Sequence, residues 1–382
     1  MRHTLFLMIL LLSLSCTSRS QAKRDSIIDT LSDSLSDSIF PTDTLRLLFV
    51  GDLMQHQGQI NAARTSTGYD YSTCFAYVKE EIKKADLSIA NLEVTLGGKP
   101  YKGYPAFSAP DEFLTAIHDA GFNVLVTANN HSLDRGKSGL ERTIQLIDSL
   151  KVPHAGTYIN ADEREKKYPL LLEKNGFRIA LLNYTYGTNG IPVTPPNIVN
   201  YIDTAIIVKD IEESKAMKPD AIIACMHWGI EYQSLPDKEQ KFLTDWLLRK
   251  GVNHIIGCHP HVVQPIEIRK DSLTNGKHLV VYSLGNYISN MSARRTDGGL
   301  MVKMELVKDS TTRLNHCEYS LVWTARPVQS GKKNHQLLPI NFPTDSISVN
   351  ARNSLRIFAN DARSLFSKHN RGIKEYLFYK KK

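Results

Sequence analysis

Ile255-Ile256-Gly257-Cys258-His259-Pro260-His261 closes a short apolar run with an H-x-H pair. An apolar run of this length reads as a buried strand, and in open α/β sheets ligand sites collect where the carboxyl ends of strands open into a crevice. Two imidazoles one residue apart at such an end can reach a common metal centre.

Four other apolar runs end the same way. Leu47-Leu48-Phe49-Val50 leads into Gly51-Asp52, and Leu87-Ser88-Ile89-Ala90 into Asn91-Leu92-Glu93. Val124-Leu125-Val126 leads into Asn129-Asn130-His131, and Ala221-Ile222-Ile223-Ala224 through Cys225 and Met226 to His227. Alone, each station is weak, because Gly-Asp is a common turn and a lone His at a strand end is more often structural. Jointly they favour a site, since buried Asn and His side chains are costly without partners. Five strands are therefore expected to deliver Asp, Glu, Asn and His to one rim.

From Leu45 to about Asn290 strand-like and helix-like stretches alternate, the signature of an α/β domain. Leu140, Ile144 and Ile147 have helical spacing, as do Phe242, Trp246 and Arg249 before Gly251, and Asp111 is the expected N-cap of a helix holding Phe113, Leu114 and Ile117. A loop rich in Gly and Pro between Asn183 and Asn200 breaks this rhythm, and loops so long are often functional. Leu300 to Leu306 and Cys317 to Trp323 read as two further strands. A basic amphipathic helix follows, with Leu355, Phe358, Ala362 and Leu365 on one face.

The 382 residues leave room for one large domain with appendages, and 42% hydrophobic with 23% charged residues are ordinary globular values. Residues 351–382 hold nine Lys or Arg against Asp361 and Glu375, which accounts for most of the net charge of +8. That segment reads as a solvated surface helix or as a contact for anionic headgroups or a polyanion. Nothing resembles a nucleic-acid module, so no nucleic-acid partner is expected.

Residues 1–15 are a positively charged start followed by an apolar stretch, as in a secretory signal peptide, and are too short to span a membrane. Ser15-Cys16 resembles a bacterial lipobox, with Ser13 where an aliphatic residue is usual, which implies lipidation of Cys16 and anchoring at the cell envelope, with ordinary signal-peptide cleavage as the alternative. Residues 16–44 are a Ser/Asp-rich tether with an r.m.s. span of about 30 Å. Cys74, Cys225, Cys258 and Cys317 show no spacing that fixes a pairing, and Cys225 and Cys258 read as small buried side chains.

Taken in order, Val50-Gly51-Asp52-Leu53-Met54, Ala90-Asn91-Leu92-Glu93, Ala128-Asn129-Asn130-His131 with Asp134 and Gly136, His227-Trp228-Gly229 with Glu231-Tyr232, Gly257 with His259-Pro260-His261-Val262 and Gln264, and Ser283-Leu284-Gly285-Asn286 resemble the CapA family over about residues 45–290. These are capsule synthesis proteins associated with poly-gamma-glutamate, and the family in turn resembles the calcineurin-like metallophosphoesterases. The resemblance implies a four-layer α/β/β/α sandwich with a metal site at one end, placed over residues 45–295, while residues 296–382 lie outside it and read as a small extension of strands plus helix. It further implies Asp52, Glu93, Asn130, His227, His259 and His261 as metal ligands, with Glu93 bridging two ions, and His131 as the non-ligand His that faces substrate, oriented by Asp134.

A mixed N/O ligand set would take one or two divalent ions, Mn, Fe or Zn. Tyr184, Asn189, Glu231, Tyr232 and Asn286 are the candidate substrate contacts. One departure stands out: the phosphoesterase pattern at the first station is D-x-H, and Met54 occupies the His position, with His56 two residues further on.

Two functions are compatible with these stations. One is an exported, lipid-anchored envelope protein with a metal-dependent hydrolase or transferase site acting on an anionic polymer. The other is a non-catalytic envelope protein assisting polymer synthesis, export or anchoring through the machinery that performs it. A phosphoesterase for nucleotides or lipids is a third, lesser reading.

Overall fold

The computed structural model describes residues 43–271 and 276–379. The signal peptide, Cys16 and the tether up to residue 42 lie outside the described residues. The first strand begins at Asp43, so the last two residues assigned to the tether are already part of the fold.

The chain lays down one sheet, builds a second and then returns to the first. Strands β1 (Asp43–Leu53), β2 (Leu87–Leu92), β3 (Val124–Val126) and β4 (His154–Ala155) run parallel in the first sheet. Next come β5 (Leu170–Lys174), β6 (Phe177–Thr185), β7 (Ala221–His227), β8 (His254–Cys258), β9 (Ile266–Lys270) and β10 (Lys277–Val281), a six-stranded sheet in the order β9-β10-β8-β7-β6-β5. The strands β11 (Asn286–Ile288), β12 (Gly298–Lys308), β13 (Thr312–Ala325), β14 (Gln336–Pro339) and β15 (Lys374–Glu375) rejoin the first sheet. Its order is β14-β13-β12-β1-β2-β3-β4, with β11 on β1 and β15 on β13. Strand β12 pairs antiparallel with β1 from Asp43 to Val50, so residues beyond 296 build the middle of this sheet.

Side-chain alternation shows how the layers stack. Leu45, Leu47 and Phe49 of β1 share one core with Ile179 and Leu181 of β6, Ile223 of β7 and Ile256 of β8, which places the two sheets face to face. Leu48 and Val50 face the other way, against Phe113, Leu114 and Ile117 of α2 (Asp111–Ala120) and Ile147 of α3 (Gly136–Ser149), after the short α1 (Gln57–Ala63). Ala180 and Leu182 of β6 likewise face Ile207 and Ile211 of α4 (Thr204–Ala216) and Leu243 and Leu247 of α5 (Lys238–Lys250). The result is an α/β/β/α sandwich, the architecture expected from the resemblance. Parallel strands buried on both faces read as continuous apolar runs, which is why β2, β3 and β7 stood out in the sequence.

The C-terminal helix α6 (Val349–His369) is not simply a solvated surface element. It buries Leu355, Phe358, Ala362 and Phe366 in the core between the sheets. Full burial of each large side chain stabilises by roughly 1.5–3 kcal/mol, and the basic residues stay on the outer face.

Two local expectations shift. Asp111 is the first residue inside α2, with Pro110 at the cap, and its carboxylate pairs with Arg142 at 2.6 and 2.7 Å. In α5 the buried face holds Leu243 and Leu247, and Phe242 is exposed. Asp237 caps that helix by accepting from Gln240 N at 2.7 Å, while Gly251 ends it at φ 102. Cys74, Cys225 and Cys258 are buried free thiols, and Cys317 is free and half-buried.

Candidate metal centre

The two sheets bring the carboxyl ends of their parallel strands to one rim. Asp52 lies in register with Asn91 on β2, which in turn opposes Val126 on β3. In the second sheet His227 is level with Thr185 on one side and Cys258 on the other. Residues just past these ends, Glu93, Asn130, His131, His259 and His261, sit in the connecting loops.

Close backbone approach is needed to seat Asp52. A Cβ at Gly51 would lie 1.8 Å from the Gly285 carbonyl oxygen, so only glycine allows Asp52 N to donate to that oxygen at 3.0 Å. On the opposite side His259 (φ 99) and His261 (φ 58) hold left-handed backbone. A non-glycine residue pays about 1–3 kcal/mol for such a conformation, and strain of this kind concentrates at functional sites.

Glu93, His227 and His259 each offer a ligand atom within 4.8 Å of the others, and so do Asp52, Glu93 and His261. Glu93 belongs to both groups. Its Oε1 lies 3.7 Å from His227 Nε2 and 3.9 Å from His261 Nε2. Asn130 turns its Oδ1 to His227 Nε2 at 2.8 Å and donates through Nδ2 to Asn189 Oδ1 at 3.1 Å.

Asp52 Oδ2, both carboxylate oxygens of Glu93 and His259 Nδ1 are buried without a hydrogen-bond partner. Buried carboxylate oxygens left unpaired are costly, and divalent cations held by Glu93, His227 and His259 or by Asp52, Glu93 and His261 would offset that cost. The donors present therefore fit a divalent metal with mixed N/O ligation.

Electrostatics divide the two groups. Burial, reinforced by the charge of Asp52, holds the Glu93 carboxyl well above the usual carboxylate range. Burial also depresses His227 well below the ordinary imidazole value and His259 to about 3, with neighbouring His261 adding to both. For His261 burial acts in the same direction, yet the adjacent Asp52 carboxylate outweighs it and raises the imidazole. Asp52 is the reverse: burial acts to raise it, and His261 and Asn91 prevail and lower it. The Asp52–His261 separation of 3.5 Å is that of an ion pair rather than a strong hydrogen bond.

The other candidate residues fall into three groups. His131 Nδ1 meets Asp134 Oδ2 at 2.7 Å, and that carboxylate also accepts from Phe107 N at 2.8 Å, with the Phe107 ring edge-on to the imidazole. Asn189, Glu231 and Tyr232 stand at the exposed rim, Glu231 Oε1 3.9 Å from His261 Nε2 and the Tyr232 ring 6.1 Å from the His261 ring. Asn286 is fully buried and its Oδ1 accepts from His261 Nδ1 at 3.0 Å, so it orients a candidate ligand rather than meeting substrate.

Tyr184 must be reassigned. It is still inside β6 on the face covered by α4, and its hydroxyl donates to Asp210 at 2.8 Å, far from substrate reach. Tyr186, just past the strand end, is the residue at the rim: its ring lies parallel to that of His227 at 6.4 Å and 4.5 Å from that of His259. Asn91 is a site residue that no local pattern in the sequence marks. Its Nδ2 donates to Asp52 Oδ1 at 2.7 Å and lies 3.3 Å from His227 Nδ1, tying the two groups together.

Met54 and His56 do not complete the first station. Met54 packs into the apolar layer beneath the helices of the first sheet, next to Leu53. His56 precedes α1, accepts from Asn290 N at 3.4 Å and packs edge-on against Phe107 at 5.1 Å.

Comparison with known proteins places the chain within a family. Residues 46–291 match the profile described as Bacterial capsule synthesis protein PGA_cap. The "Capsule biosynthesis protein CapA" of Bacillus anthracis is 28% identical over 284 residues, covering 71% of this chain and 66% of that protein. The "PGA biosynthesis protein CapA" of Bacillus subtilis (strain 168) is 28% identical over 281 residues, covering 72% of this chain and 71% of that one. Among solved structures, the calcineurin-like phosphoesterase YfkN from Bacillus subtilis aligns over 86% of this chain and 99% of that one, at 14% identity and a TM-score of 0.43.

Proposed function

The chain belongs to the bacterial capsule synthesis protein family, and from that premise we propose that it is a cell-envelope protein of capsule or poly-gamma-glutamate-type polymer biosynthesis with a metal-dependent hydrolase or transferase site. The observation that carries this reading is the buried carboxylate of Glu93, both oxygens unpartnered, between His227 and His259 on one side and Asp52 and His261 on the other.

A divalent ion, Mn, Fe or Zn, held by these residues would supply an acidified water and a polarised acyl or phosphoryl oxygen. The chain's own groups do the remaining work. Asp134 fixes His131 through Nδ1 and leaves Nε2 to carry a proton to a leaving group. Asn130 holds His227 through its amide oxygen. Tyr186, Asn189, Glu231 and Tyr232 form the exposed rim that a bound polymer touches. A gamma-linked glutamate chain presents an amide at the reacting centre.

The leader at residues 1–15 and Cys16 support export and lipid anchoring, and no helix among the described residues is long and apolar enough to cross a membrane. Elemental analysis of the purified protein is expected to find a divalent metal that the double change His259→Ala and His261→Ala removes. Metal content indifferent to that change would sink the reading. Turnover of gamma-glutamyl oligomers should fall with His131→Ala while metal content stays.

A second reading, a non-catalytic partner of the polymer's synthesis or export machinery, is favoured by one observation: Met54 is sunk in the apolar layer where the pattern expects a ligand. Metal-loaded protein that turns over neither gamma-glutamyl oligomers nor phosphodiesters would select it.

A further inference from the structure

We propose that the cavity between α6 and the loops at Ser234 and Arg295 is a subsite for a carboxylate on the next unit of an anionic polymer whose reacting unit lies at the metal centre. The inference rests on the polymer reading above. The cavity has a volume of about 200 Å³ and is built by four segments remote in sequence, at Ser234, Val263, Arg295 and Phe358 to His369.

Two of its walls are continuous with the metal centre. Ser234 follows Tyr232 by two residues, and Val263 follows His261 by two, so each lies within about 7 Å of chain from a rim or ligand residue. Tyr232 N donates to Pro260 O at 2.8 Å, which fastens the Ser234 loop to the H-x-H turn. A chain crossing the metal centre thus meets this cavity next.

Its chemistry suits a carboxylate carried on methylenes. Asp361 is engaged by Arg294 at 2.7 and 2.8 Å and by Arg295 Nε at 3.3 Å. Two guanidinium groups on one carboxylate leave a positive charge uncompensated. Arg295 Nη1 also donates to Ser234 Oγ at 3.3 Å, which fixes the guanidinium at the cavity wall, and its backbone holds the left-handed φ of 76. Lys368 lines the same cavity, exposed and without an ion-pair or hydrogen-bond partner among the described residues. Beneath the cations Val263, Phe358, Ala362 and Leu365 supply an apolar floor. A gamma-linked glutamate unit matches both parts, with a pendant carboxylate and a methylene backbone.

Lys368 also sits in the last turn of α6, where any cation complements the helix dipole. The two roles separate by ligand length. Full-length protein is titrated with a labelled gamma-glutamyl octamer and, by competition, with the gamma-glutamyl dipeptide, and metal content is measured alongside as a check on folding. Lys368→Glu is expected to weaken the octamer about tenfold at low salt and to leave the dipeptide and metal content unchanged. Lys368→Arg should retain wild-type binding, and added salt should shrink the difference. A wild-type protein that binds the octamer, with Lys368→Glu binding it equally well, overturns the subsite alone. A wild-type protein that binds neither ligand overturns the polymer reading and the subsite with it.

Discussion

The two halves of the candidate metal centre share Glu93 and differ in how they manage protons. On one side His227 and His259 are buried imidazoles whose positive forms are suppressed, His259 down to about 3. They are neutral and ready to ligate, with Asn130 and Tyr186 in support. On the other side burial of His261 is overcome by Asp52, so imidazolium and carboxylate already compensate one another at 3.5 Å. A cation entering there must displace a proton, and position 54 offers no further ligand. The difference teaches that equal ligand counts do not make equal sites. The Glu93–His227–His259 half should bind metal first.

Removing a ligand from each half breaks the comparison most sharply. His259→Ala is expected to abolish stoichiometric metal, whereas His261→Ala should leave most of one equivalent by elemental analysis. Equal losses would show that the halves are not ranked. Next in size is Asn91→Ala, which removes the amide tied to both Asp52 and His227. Outer contacts of this kind typically contribute 10–100-fold, so metal affinity should fall by about that factor in a competition titration.

Met54→His is the tempting repair of the D-x-H pattern. Because that side chain lies in the apolar layer, the variant should gain no second equivalent of metal and should lose about 1–3 kcal/mol in a denaturant titration. A second bound ion would show that the loop can turn position 54 inward.

The smallest effect is a crossed pH dependence in metal-stripped protein. His259 is depressed by burial, so its contribution is fully present above the unfolded value of about 6.5 and is lost as pH falls from there towards about 3. His261 is raised despite burial, because of Asp52, so its contribution is present below about 6.5 and is lost as pH rises through the raised value. Thermal melts of His259→Asn and His261→Asn against wild type should therefore diverge in opposite directions across pH. Parallel curves would remove the protonic distinction between the halves.

Much of this centre was legible one station at a time. Asp52, Glu93, Asn130, His227, His259 and His261 were found because each follows an apolar run, and buried parallel strands write such runs plainly. Tyr184 misled for the same reason: in a run buried on both faces no polar alternation marks where the strand stops, and the rim residue is Tyr186, two positions on. Nothing along the chain marks the role of Asn91, since its two partners, Asp52 and His227, come from different sheets.

The sequence by itself determined the stations, their order and the α/β class, because strand ends, turn residues and periodicity are local properties of the chain. Tertiary structure alone decided that residues beyond 296 build the centre of the first sheet beside β1, and that α6 closes the core. It also decided that Asp52 pairs with His261 while His259 stays neutral, and that Met54 turns into the apolar layer. Those outcomes depend on which distant groups share a low-dielectric space, and neither burial nor charge proximity is written in the spacing of residues along the chain.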